Sequence, residues 1–281
     1  MFPNELPGFF KSIGASLEVH GYVPRRFGQP LVMGDAVGDQ PRFGGWRPPA
    51  GGYTLDIRGE GRSEHFRLDV GLDAPDFRVL QAKRDERHLL LYATKPGKRE
   101  DTRLLCGHDE RHWFVAAVGE PVSTVMAARR ALLPPVLRHK GLNKTTLTTR
   151  HNEAFKRQGE WFFVPVTDPP LLEVLATLPI HQHEPIQRGT RAKPHRCEQL
   201  VRTGGTRVYL AHGSEYSEAQ WAALDPAERG KMGRVEERTK DMTVYVRGKI
   251  QHPDHATILL HGWHSVYMNS EIVSSNVTFY D

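Results

Sequence analysis

Histidine is the residue type from which chemistry is most readily read in this chain. The protein has 281 residues and 15 of them are histidine. A neutral imidazole ligates metals and exchanges protons near neutral pH. The segment HQHEPIQRGTRAKPHRC at 181–197 carries His181, His183, His195 and Cys197 as two pairs, each of the form ligand-x-ligand. Three imidazoles and one thiolate form a ligand set that zinc accepts in tetrahedral geometry. The expectation is a zinc site on these four residues. The competing reading is a solvated basic loop, because the spacing follows no established zinc signature.

A second histidine-rich stretch, QHPDHATILLHGWHSVYMN at 251–269, holds His252, His255, His261 and His264. It follows MTVYVRGKI, which alternates apolar and polar residues as a half-buried strand does. Pro253-Asp254 supplies turn chemistry between the two strands. His252 and His255 are therefore read as turn residues. His261 and His264 have opposite parity and point to opposite faces, unless a bulge at Gly262 brings them to one side. His264 falls on the apolar face and is expected in the core. The opposite face collects Tyr245, Arg247, Lys249, His261, Trp263 and Tyr267. Rings for base stacking with cations for phosphate are what a single-stranded nucleic-acid platform needs. The rival reading is that another part of the chain packs over those rings.

Residues 138–157 place Arg138, Lys140, Lys144, Arg150, Lys156 and Arg157 against the single acid Glu153. This is the most basic stretch with a helical pattern, and phosphate contact is the function it would serve. Glu153 and Arg157 stand at i,i+4, which is simple helix support. The cluster GHDERH at 107–112 brings His108, Asp109, Glu110 and His112 together, but it sits where a hairpin turn is expected, and turns need polar residues anyway. Cys106 beside His108 suggests a thiol–imidazole pair. Neighbours on a strand point apart, so Cys106 reads as a buried small hydrophobe. No G-x-S-x-G, P-loop or G-x-G-x-x-G pattern is present.

The elements that must position these residues are mostly strands. EHFRLDVGL alternates, with Phe66, Leu68 and Val70 on one face. RDERHLLLYA and HDERHWFVAA share the tetrapeptide DERH, each copy leading into an apolar run, and repeated turn chemistry explains the echo. A helix is expected from Ser123 as N-cap to the Pro134-Pro135 break, and a second short helix over TTRHNEAFKRQG, closed by Gly159. Strands interrupt helices without a regular βαβ array, which predicts an α+β fold of antiparallel meanders and hairpins with a few short helices. Two regions are expected. Residues 1–167 are β-rich, with a Gly/Pro-rich arm at 27–52 and the basic helical segment at 123–158. Residues 171–281 form an α+β region ending in a long hairpin. A single continuous domain is the alternative.

Composition sets the outer limits. Net charge is +5 and the pI is about 9.2, a balance that favours acidic partners. No apolar run is long enough to span a membrane, and the first residues lack the pattern of a secretory leader. Two cysteines, Cys106 and Cys197, far apart in sequence, fit reduced thiols in a cytoplasmic protein. The leading expectation is a nucleic-acid-binding protein, for RNA or single strands. The alternatives are a metal-dependent hydrolase of the phosphodiesterase class, with zinc as cofactor and Asp254 or Glu184 as base, and a structural or assembly protein that binds copies of itself or another protein.

Overall fold

The computed structural model describes residues 5–24, 30–33, 52–71, 74–94, 101–186 and 193–271. Most of the arm expected at 27–52 lies outside the described residues. The chain divides into two compact units, residues 1–152 with 268–281, and residues 153–267. Residues 168–170, which separate the two expected regions, fall inside the second unit.

The first unit begins with α1 (Leu6–Ser12), which buries Leu6 and Phe10. Then come β1 (Leu17–Pro24), β2 (Pro30–Met33), β3 (Tyr53–Arg58) and β4 (His65–Val70), in the sheet order β2-β1-β4-β3. In β4 the expected alternation is realised: Phe66, Leu68 and Val70 are buried, and His65, Arg67 and Asp69 between them are not. The β1–β4 pair is parallel, whereas β1–β2 and β3–β4 are antiparallel. A second sheet is an antiparallel meander of β5 (Asp76–Lys83), β6 (His88–Thr94), β7 (Asp101–Asp109) and β8 (His112–Val118). Both DERH copies occupy its hairpin turns, with Lys83 paired to His88 and Asp109 to His112. The turns differ in length, so the echo is one of turn chemistry and not of duplicated geometry. Residues of both sheets and α1 share one core that includes Phe10, Phe66, Leu89, Leu104 and Trp113.

Three short helices complete this unit: α2 (Val125–Ala131), α3 (Pro135–Arg138) and α4 (Lys144–Thr148). The cap of α2 is Thr124, one residue later than expected, its hydroxyl accepting from the Ala127 amide at 3.2 Å. Val125, Ala128 and Ala131 of α2 pack with Leu90, Leu105 and Ala116 of the meander.

The second unit opens with β9 (Lys156–Gln158) and β10 (Trp161–Pro165), then α5 (Pro169–Thr177), β11 (His181–Ile186) and β12 (His195–Thr203). A three-stranded insert follows. It consists of β13 (Thr206–Ala211), β14 (Ser214–Ser217), α6 (Glu218–Ala223), α7 (Pro226–Lys231) and β15 (Glu236–Lys240). The unit closes with β16 (Thr243–His252) and β17 (His255–Met268), and the main sheet has the order β11-β12-β16-β17-β10-β9. The helix expected to end at Gly159 is not formed. Lys156, Arg157 and Gln158 pair as a strand with Phe163, Phe162 and Trp161, and Gly159 turns that hairpin with φ +57°. Burial of Phe155, Phe162 and Phe163 in the sheet core outweighs a marginal helical propensity. The whole is α+β, built of antiparallel hairpins and meanders with short helices, as the alternation predicts.

Candidate metal centre

The site is built at one end of the main sheet by strand register. β12 and β16 run antiparallel with Arg196 opposite Gln251, which sets His195 beside the end of β16, where His252 lies. The β16–β17 hairpin turns on Pro253-Asp254, with His252 paired directly to His255. Three imidazoles meet as a result. Ring centroids are 4.2 Å apart for His195 and His252, 4.7 Å for His252 and His255, and 5.8 Å for His195 and His255. One ligand nitrogen from each ring lies within 4.8 Å of the other two. Nitrogens at about 2.0–2.1 Å from a tetrahedral zinc are separated by about 3.3 Å. The nitrogens of the stack are close enough to be candidate ligands of one ion.

His195 is the buried member, only 2% exposed, and neither ring nitrogen has a hydrogen-bond partner among the described residues. A buried polar group without a partner costs roughly 1–3 kcal/mol, and such groups in folded proteins call for an explanation. Burial pushes the His195 pKa down to about 3, and the neighbouring His252 and His255 push the same way. The ring is thus neutral at pH 7, the state a metal requires. Burial also lowers the pKa of His252. His252 Nε2 lies 3.2 Å from the Lys193 carbonyl, and its Nδ1 accepts from the Asp254 amide at 3.2 Å. The carbonyl assigns the proton to Nε2, and the Nδ1 lone pair is taken by the Asp254 amide, so ligation through Nδ1 would displace that hydrogen bond.

A second hairpin turn packs against the first. Gly159, between β9 and β10, comes so close to His255 that a Cβ there would stand 3.0 Å from His255 Nε2. Gln158, fully buried, donates from Nε2 to the Ala256 carbonyl at 2.6 Å, and its Oε1 has no partner. Trp161, paired with Gln158 across the hairpin, has its ring centroid 6.2 Å from that of His195, and its buried indole N–H is also without a partner. Two residues adjoining the cluster thus carry buried polar atoms without partners.

The chain matches no protein-family model, no curated protein and no solved structure.

Of the four residues expected to bind zinc, only His195 takes part. The β11–β12 ladder pairs His195 with Ile186 and leaves His181 opposite Leu200. Five residues of strand separate the two levels, about 16 Å at 3.3 Å per residue. His181 and His183 are exposed. Cys197 lies in the core, its thiol pushed up to about 12 by burial. The other two members of the cluster are His252 and His255, which the sequence reading took as plain turn residues. The signal was present: His-x-x-His around a two-residue turn places both rings side by side on an antiparallel pair.

The face read as a stacking platform is largely covered. Tyr245 and Trp263 are buried with Val201 beneath Leu175 of α5, and Leu171, Leu172 and Leu178 pack around them. The Arg247 guanidinium lies 4.5 Å over the Trp263 ring and donates to Gln199. Lys249 and His261 are exposed, and Tyr267 is half-buried. The bulge considered at Gly262 is present. Pairing shifts between Val246 and Gly248, where Gly262 has φ +84°. It does not bring His261 to His264, because His264 is buried while His261 faces out.

The basic segment is dispersed. Arg138 donates to Glu120 and to the Leu133 and Ala131 carbonyls. Arg150 bridges Asp109 and Glu110 at the β7–β8 turn, which gives the GHDERH cluster a structural partner. In the other unit, Lys156 donates to the Leu259 carbonyl at 2.5 Å and Arg157 to the Gly159 carbonyl at 2.8 Å. Lys140 and Lys144 are exposed. The two carboxylates considered as bases are also engaged: Asp254 with Lys193 at 2.8 Å and Glu184 with Arg202 at 2.7 Å. Among the described residues, no helix is long and apolar enough to cross a membrane.

Proposed function

We propose that this protein binds a divalent transition metal, of which zinc is the best fit, through His195, His252 and His255, and that the metal serves hydrolytic chemistry. The observation that carries the reading is His195: a buried imidazole, neutral at pH 7, with both nitrogens unpartnered and two further imidazoles against it. A metal explains that arrangement by giving the lone pair a partner worth far more than water.

Three neutral nitrogen ligands leave the charge of the ion intact and a fourth position open. That donor set belongs to catalytic zinc sites, whereas structural sites are closed by four protein ligands, often with thiolates. An open position on an uncompensated dication lowers the pKa of a bound water towards 7 and supplies a nucleophile for ester or phosphoester bonds.

The test is metal content and affinity. Protein purified without chelator is expected to carry close to one zinc per chain, and dialysed protein to take up one Zn²⁺ or Co²⁺. His195→Phe keeps the ring volume and removes the ligand. Stoichiometric metal in the wild type and none in the variant supports the site. Equal metal in both, or none in either, rejects it.

A further inference from the structure

Resting on that metal reading, we infer that Gln158 positions the ligand at the open coordination site by accepting a hydrogen bond from it, and so selects for ligands whose ligating atom carries a proton.

A water bound to a metal has committed a lone pair to the ion. It becomes a hydrogen-bond donor and needs an acceptor. Among the described residues of the second unit, the buried side-chain oxygen without a partner is Gln158 Oε1. The amide cannot simply flip to relieve it, because Nε2 is held by the Ala256 carbonyl at 2.6 Å. The backbone brings Gln158 into the neighbourhood of the cluster. Ala256 follows His255 directly, and Gly159, next to Gln158, approaches His255 so closely that a Cβ would stand 3.0 Å from Nε2. On the ladder Gln158 stands opposite Trp161, whose ring neighbours His195. The two hairpin turns thus bring the residue that carries this vacant acceptor next to the neighbours of the three-histidine cluster, and the inference places Oε1 at its open side.

The consequence is selectivity. Water or an alcohol presents O–H to Gln158 Oε1 while its oxygen meets the metal. An acceptor-only anion such as azide presents lone pairs to the same carbonyl oxygen and is repelled. Trp161 and its unpartnered N–H are common to the wild type and to Gln158 variants, so their contribution cancels in a comparison.

The experiment uses the full chain loaded with Co²⁺, with visible absorption reporting coordination and azide as the probe. Gln158→Met keeps the length of the side chain and removes the acceptor, and Gln158→Leu is a second variant of different shape. Azide is expected to bind the Met variant about tenfold more tightly than the wild type, the size of one hydrogen-bond term. Unchanged or weaker azide affinity in a variant that still binds Co²⁺ overturns the role of Gln158 and leaves the metal site standing. Failure of the wild type to bind Co²⁺ overturns both. If the Met variant does not fold, the Leu variant and a Gln158→Glu variant carry the comparison. The added carboxylate is expected to weaken azide and to raise the pH at which the Co²⁺ spectrum titrates.

Discussion

His252 and His255 face each other across the Pro253-Asp254 turn, their ring centroids 4.7 Å apart and their backbones paired in the ladder. The hairpin itself holds two ligands of the candidate centre, and a third strand delivers His195. Removing either hairpin ligand is expected to cost more Zn²⁺ affinity than the roughly 100-fold that outer partners of ligands are worth. His255→Gln and His252→Gln, titrated against a competing chelator, check this. Retained affinity in both variants would sink the three-histidine assignment.

The metal-free protein is expected to lose stability in acid through His195. Its folded pKa, about 3, lies below the ordinary value of 6.5. The unfolded chain therefore takes up the proton first as pH falls. The contribution of this group is constant above pH 6.5. Between 6.5 and 3, stability declines with a slope on the order of 1.4 kcal/mol per pH unit. His252, also lowered, adds in the same direction. Urea midpoints measured from pH 7 to 4 are expected to fall less steeply in His195→Phe than in the wild type.

Gly159→Ala tests the contact between the two turns. At φ +57° a Cβ is strained, by roughly 1–2 kcal/mol, and here it also meets His255 Nε2 at 3.0 Å. Reduced stability together with weaker metal binding is the expected pair of effects. Weaker stability with unchanged metal affinity would show that His255 does not depend on this turn.

Trp263 is expected to behave as a core residue. Its ring lies with Tyr245 under Leu175, with Arg247 stacked on it. Trp263→Ala is predicted to destabilise the protein by about 3–5 kcal/mol, read from chemical denaturation. Near-neutral stability with loss of oligonucleotide binding would restore the stacking platform.

Arg150 bridges Asp109 and Glu110, all three largely shielded from solvent. Arg150→Ala leaves two carboxylates without their cation, and a loss of roughly 2–3 kcal/mol is expected. If Arg150 instead served phosphate, the variant would keep its stability and lose salt-dependent binding to nucleic acid.

Much of the strand content was legible from alternation. The HFRLDV strand and the hairpin on Pro253-Asp254 each follow from local side-chain chemistry, and Gly262 marked a position where a bulge could fall. The stretch 149–158 misled, because its polar residues fit a helix while the rings of Phe155, Phe162 and Phe163 required a sheet. The candidate centre was half legible. His195 was singled out, but with partners chosen by sequence proximity on its own strand and the preceding one. Register separates those partners by several residues.

The sequence by itself determined the alternating strands, the turn that pairs His252 with His255, and the glycines at which the chain bends. These depend on neighbours a few residues away. Only the tertiary structure decided which histidine would be third, and whether Tyr245 and Trp263 would face solvent or a helix. Both depend on pairings between segments far apart in the chain. Strand β12 meets β16 across an intervening insert, and α5 lays its leucines on the sheet. Nothing local encodes those contacts: they follow from burying the apolar surface of the sheet as a whole.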